Sequence, residues 1–210
     1  FDRLHMQKPG RSGSFRVLIN QMNYAGNSFE GLEARGQFNG EALNLEASMQ
    51  DTAIDFSLNS KILLKKNPIY RLGLDLKKSD FVKTGLDTKA DTSRLKMHLN
   101  AYLKGNSLGD ISGDMRITDA VFQRDTHRIA INTLTLTAMQ SAFKQKSVTL
   151  KSPFFDMKVN GRFDYQDMPK ALRGYLHGIF PRAIDIPKDA DAQIEGEQRF
   201  RYNLSFKEIN

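Results

Sequence analysis

The residues whose chemistry suits catalysis or metal binding are few and widely separated. The histidines, His5, His98, His127 and His177, include no pair at the close spacing that lets two imidazoles meet on one ion. The chain has no cysteine, which removes thiol chemistry and disulfides and leaves the redox compartment undetermined. No G-x-S-x-G elbow, phosphate-cradling loop or dinucleotide fingerprint occurs. The acidic stretch "GDISGDMRITDA" has the look of a calcium loop, but it lacks spaced acidic ligands and a closing Glu, so Asp110, Asp114 and Asp119 fit turn positions better. Gly105, Gly109 and Gly113 recur every four residues. Lys104, Asp110 and Asp114 surround them, which marks a turn and a strand start rather than a membrane-helix seam. The sequence predicts a chain that is not an enzyme and carries neither metal nor cofactor.

The elements that remain are strands. Apolar residues alternate with polar ones almost everywhere, the period of a sheet with one apolar face. Phe15, Val17 and Ile19 share a face, as do Leu43, Leu45, Ala47 and Met49, then Ile54, Phe56, Leu58 and Ile62, then Tyr70, Leu72, Leu74 and Leu76. After the polar loop "KTGLDTKADTS" come Leu95, Met97, Leu99, Ala101 and Leu103, then Ile111, Met115 and Ile117, and Ile129 with Ile131. The series continues through Leu134, Leu136 and Ala138, and Val148 with Leu150. Phe155, Met157, Val159, Phe163 and Tyr165 form the longest late strand, and Phe200, Tyr202, Leu204 and Phe206 the last. Turn signals such as Gln50-Asp51, "FNGE", "KGNSLGD", "QRDTH" and "KSP" separate them. One segment breaks the period: Leu172, Tyr175, Leu176, Ile179 and Phe180 fall at helical spacing between Pro169 and Pro181. A helix of about three turns is expected there. Gly174 and Gly178 weaken it, so it needs docking against the sheet, as a cap or plug, with Lys170, Arg173 and Arg182 toward water.

A net charge of +7 favours an anionic partner, whether nucleic acid, lipid headgroup or acidic protein. Lys and Arg are scattered singly, however, as residues that solvate a polar face. The aromatics fall with Leu and Met, while Lys61, Lys65, Lys77, Lys96, Lys104 and Arg162 fall opposite them. That segregation argues against a nucleic-acid platform, which needs aromatics and cations on one face. No apolar run approaches the roughly 20 residues of a membrane-spanning helix. The chain begins at Phe1 with no visible signal peptide, and is read as a segment whose anchor lies elsewhere.

Strand modules recur weakly: "AIDFSLNSKI" aligns with "FFDMKVNGRF", "YRLGLDLK" with "FRYNLSFK", and "LNLEA" with "LTLTA". Residues 37–77 and 133–207 are thus candidate repeats within a single elongated unit over 1–210, the second carrying the helical insert. Chance likeness among alternating strands is the other explanation. Ten or more strands cover their apolar faces as a sandwich, as a closed barrel, or not at all. The uncovered case is a long sheet curled into an open groove that binds something apolar. Met49, Met97, Met115 and Met157 on these faces suit a lining that adapts to flexible chains, and equally suit a packed core.

The cadence "LEARGQFNGEALNLEASMQDTAIDFSLNSKI", "YRLGLDLKKSDF", "KMHLNAYLKGNSLGDISGDMRITDAVF", "INTLTLTA" and "FFDMKVNGRFDYQDMPKALRGYLHGIFP" resembles the C-terminal half of the TamB family of the AsmA-like superfamily. The likeness is one of strand pattern and punctuation over residues 15–206, densest at 95–181. It implies an all-β fold, a long curled antiparallel or mixed sheet forming an open, taco-like apolar groove, with one short helix near 168–180. It further implies a periplasmic protein that carries phospholipid between inner and outer membranes and partners an outer-membrane Omp85-superfamily barrel (TamA-like), with its inner-membrane anchor outside these residues. The alternating faces from Leu43 to Phe206 would then hold acyl chains. The alternatives are a scaffold or chaperone for outer-membrane β-barrel proteins, pairing clients through sheet edges, and a closed β-sandwich adhesion module.

Overall fold

A computed structural model describes residues 12–24, 26–141, 145–165 and 199–207. Its strands are β1 (Gly13–Tyr24), β2 (Asn27–Phe38), β3 (Ala42–Gln50), β4 (Ile54–Leu63), β5 (Ile69–Asp80), β6 (Ser93–Lys104), β7 (Ser112–Arg124), β8 (His127–Gln140), β9 (Lys146–Lys151), β10 (Phe155–Arg162) and β11 (Arg199–Phe206). All eleven belong to one sheet, ordered in space as in sequence, and every pairing is antiparallel. The sheet is open, with β1 at one edge and β11 at the other. At a strand spacing of about 4.8 Å it is about 50 Å wide. The predicted helix and its residues Leu172, Tyr175, Leu176, Ile179 and Phe180 lie outside the described residues, and among the described residues one 3-10 turn, Leu108–Asp110, is the whole helical content.

Short connections force this meander, because antiparallel neighbours are what a two- or three-residue turn joins. Asn39 Oδ1 accepts the Ala42 amide at 2.8 Å. Asp51 Oδ1 accepts the Ala53 amide at 2.7 Å, in the turn expected at Gln50-Asp51. Ser152 Oγ donates to the Phe155 carbonyl at 2.7 Å and accepts the Phe154 and Phe155 amides. These are local side-chain bonds that replace the ladder where the chain reverses.

The connection after β5, residues 81–92, is tied down by charge. The Arg94 Nε donates to Asp80 at 3.2 Å, and Arg124 Nε to Asp87 at 2.8 Å. The Asp91 and Thr92 amides donate to Asp125 Oδ1 at 2.9 and 3.0 Å. Phe81 meets Phe122 with ring centroids 6.4 Å apart. Burial raises the Asp80 carboxyl, but the Lys83 amide and the Arg94 guanidinium outweigh it and hold Asp80 below its ordinary value. Asp87 is held far below it, chiefly by the hydrogen bond from Arg124.

Three register shifts lie at Asp55/Phe56, Leu76/Ser79 and Lys96/His98, toward the end of the sheet that carries this loop. Bulges add local twist and bend. They also reset the alternation: β7 turns from Met115 and Ile117 to Ala120 and Phe122 across Asp119, whose φ is +52°.

The structure departs from the sequence reading at four places. Strand β2 was not expected. Gly31, Glu33, Arg35 and Gly36 dilute its apolar pattern, yet it pairs with β1 along its length apart from Gly31, and with β3 over Glu33–Phe38. Ile129, Ile131, Leu134, Leu136 and Ala138 lie on one strand, β8, rather than two. Ile111 precedes β7 and Phe163 and Tyr165 follow β10. Finally, the β10 ladder ends at Arg162, although Phe163 keeps the parity of Val159 and packs in the same cluster.

Candidate apolar ligand face

Register decides which side chains share a face, since directly opposed residues of antiparallel strands point the same way. One row across the middle of the sheet runs Leu45, Ser60, Leu72, Ala101, Met115, Leu136, Leu150, Met157 and Leu204. The row on one side runs Leu43, Ile62, Tyr70 and Leu103. On the other side lie Ala47, Leu58, Leu74, Leu99, Ile117 and Leu134, and beyond them Met49, Phe56, Leu76 and Met97. Ile54 and Leu95 meet through Ser79. At the far edge Phe155 faces Phe206 and Val159 faces Tyr202. The pairing thus assembles the expected strand residues, with Ser60 and Ser79 as interruptions, onto a single face.

That face is one layer deep. The strands contact their sequence neighbours, and among the described residues no second sheet or helix lies upon it. The large apolar side chains that are buried gather in two clusters. Phe29, Met49 and Ala53 form one, with Met22, Leu32, Ile54 and Phe56 against it. Ala138, Val148, Val159 and Phe163 form the other, with Leu136, Met157, Tyr165 and Phe200. Between them Leu58, Leu72, Leu74, Leu99, Met115 and Ile117 are half-buried. At the β11 edge Leu204 is 43% exposed and Phe206 77%.

One cation sits on this face and was missed from the sequence. Lys146 is opposite Gly161, in step with Val148 and Leu150. It is buried, with Nζ 4.3 Å from the Tyr165 ring centroid and 5.8 Å from that of Phe163. The flat faces of those rings attract an ammonium. Burial pushes the Tyr165 hydroxyl pKa up, and that hydroxyl has no hydrogen-bond partner among the described residues. The parity of Lys146 with Val148 was the available signal.

The opposite face is polar and holds a cleft of about 980 Å³. Of the histidines, His98 lies on that face, its Nδ1 3.0 Å from Asp75 Oδ1, both groups partly exposed. Among the described residues no three His, Asp or Glu side chains converge as a metal site. Comparison of the chain with protein-family models, with curated proteins and with solved structures finds no match.

Proposed function

We infer that this sheet binds lipid acyl chains on its apolar face and serves phospholipid transport between the inner and outer membranes of a cell envelope. The observation that carries this reading is the single layer: a sheet about 50 Å wide sets Leu, Ile, Phe and Met side by side from β3 to β11, and much of that surface stays half-exposed. Burying a methylene contributes about 0.8 kcal/mol, so an acyl chain laid across neutral side chains binds without a specific polar contact. Such binding is diffuse, as movement along a conduit requires. The resemblance in strand cadence to the TamB family supports the periplasmic setting and an Omp85-type barrel partner for the whole protein.

The test is native mass spectrometry with lipid extraction after exposure to mixed phospholipids. Wild type is expected to retain phospholipid. Leu58→Asp and Leu74→Asp, shown folded by circular dichroism, lose it, whereas Asn59→Asp on the opposite face keeps it. An empty wild type that binds no hydrophobic dye ends the reading.

A second reading, a scaffold for outer-membrane β-proteins, is favoured by the edges. Strand β1 presents Leu18 at 57% exposure, and β11 presents Phe206 at 77%, each beside a ladder edge that no described strand occupies. Open edges of this kind pair with extended chains. A proline at Leu18 that abolishes client binding while lipid retention persists would favour this second role.

A further inference from the structure

The cleft on the polar face has a composition that solvation alone does not require. It crosses β3 to β9, a span of about 29 Å at normal strand spacing. It is bordered by every residue of two adjacent polar rows, one containing Lys61, Arg71, Tyr102 and Asp114, the other Asn59, Gly73, Asn100 and Arg116. The row between them, Leu45, Ser60, Leu72, Ala101, Met115 and Leu136, also borders it, whereas Leu58, Leu74 and Leu99 do not. Alternation points the two polar rows to one side of the sheet and the row between them to the other, so the cleft opens on the polar side, over the backbone of that central row.

Its charge is unbalanced. Four cations, Lys61, Arg71, Arg116 and Lys151, face two carboxylates, Glu46 and Asp114. One of those carboxylates already accepts the Thr137 hydroxyl at 2.7 Å. Lys61 and Arg71 are directly opposed across β4 and β5, and like charges so placed destabilise a sheet. Among the described residues none of the four cations makes a salt bridge, although Lys151 is directly opposed to Asp156 and helps to lower its carboxyl pKa. Arg116 and Lys151 flank Thr135 from either side, a second cationic pair farther along the cleft.

Between the pairs stand the amides of Asn59 and Asn100, the hydroxyls of Thr135 and Thr137, and one aromatic ring, Tyr102, with the Arg71 guanidinium 5.7 Å from its centroid. Amides and hydroxyls in a shallow trough hydrogen-bond vicinal hydroxyls, a phenol ring stacks on a sugar face, and the cation pairs meet anionic groups. A nucleic-acid strand needs successive stacking rings, and only one lines this cleft. A peptide strand needs a free ladder edge, whereas the floor here is the paired interior of the sheet.

We propose that the polar cleft binds an extended acidic oligosaccharide, its carboxylate, sulfate or phosphate groups seated at Lys61–Arg71 and at Arg116–Lys151 and its sugar hydroxyls at the Asn and Thr side chains between. This site uses the same strands as the apolar face but the side chains of opposite parity. Gly73 provides the cleanest block, because a Cβ there would meet only Asn100 Oδ1, at 3.6 Å. A larger side chain fills the cleft without disturbing the ladder.

Fluorescence anisotropy of a labelled heparin-derived octasaccharide on the whole chain tests this. Wild type is expected to bind, and to weaken as salt rises from about 50 mM to about 200 mM. Gly73→Leu and the double variant Arg71→Gln/Arg116→Gln lose affinity by about tenfold or more, as expected from removing charge-assisted bonds. Lys96→Gln, a cation outside the cleft, leaves binding within about twofold. Phospholipid retention is unchanged in all of them, so failure here is separable from failure of the acyl-chain reading. The proposal is overturned if wild type does not bind, if the cleft variants bind as wild type, if Lys96→Gln loses as much, or if a deoxythymidine dodecamer competes as well as unlabelled octasaccharide.

Discussion

The two faces of this sheet are built on the same strands, one residue apart, and they handle their side chains in opposite ways. On the apolar face Leu58, Leu74 and Leu99 meet in register and cover part of one another, and burial deepens toward the clusters around Met49 and Val159. On the polar face Asn59, Gly73 and Asn100 form the neighbouring row and border a cleft, with Lys61 and Arg71 set like charge to like. One face is held by contact between its own residues. The other sets like charges side by side at Lys61 and Arg71. A surface that stabilises itself and a surface that leaves interactions unmade answer differently to substitution, and that difference is measurable.

The largest contrast is expected between adjacent residues of β10. Val159 is 3% exposed, and Val159→Asp, which buries an unpaired charge, is expected to cost about 4 kcal/mol or more. Asn160→Asp, exposed on the polar face, should move stability by about 0.5 kcal/mol or less. Urea midpoints of the two variants decide it, and equal effects would break the comparison. Next, Met49→Ala removes most of a side chain that is 2% exposed. A loss of about 2–4 kcal/mol is expected, and a loss below about 1 kcal/mol would mean that its cluster collapses freely around the gap.

Acid should act through carboxylates held in the connections and at strand ends. Asp80, Asp87, Asp110 and Asp156 are all held below the ordinary carboxylate value in the folded chain. A group lowered on folding adds stability above its unfolded pKa, about 3.9 for Asp, and loses it as pH falls through the folded value. The thermal midpoint is therefore expected to be level from neutral pH to about 5 and to fall progressively below about 4. Asp87→Asn should flatten part of that fall. A midpoint that rises on acidification would contradict the assignment. A modest effect is expected from Thr137→Val, which removes the 2.7 Å bond to Asp114 and should cost about 0.5–1 kcal/mol.

The apolar face was legible in the sequence because alternation is a direct image of a sheet face. Short turns, as at Asp51 and Ser152, favour antiparallel sequence neighbours, but whether the strands formed one open sheet, a barrel or a sandwich was left open by the pattern. What escaped was set by features that alternation does not encode. Strand β2 forms despite Gly31 and Gly36 because β1 and β3 supply its ladders, a tertiary effect that overrides composition. The bulge at Asp119 shifts the period by one residue, which hid the continuity of the strand it faces. Lys146 was hidden by its type although its parity was plain. The polar cleft had no sequence signal beyond scattered cations, since concavity arises from twist and bulges summed over seven strands.

The most direct test of the central claim uses neighbours on β6, Leu99 half-buried on the apolar face and Asn100 exposed on the polar one. A photoreactive phenylalanine analogue is placed at each position in turn, the protein is incubated with phospholipid vesicles, and the crosslinked lipid is measured by mass spectrometry. Crosslinking to phospholipid at position 99 with none at position 100 is the predicted result. Equal crosslinking from both positions, or crosslinking from position 100 alone, would contradict the assignment of acyl chains to the apolar face.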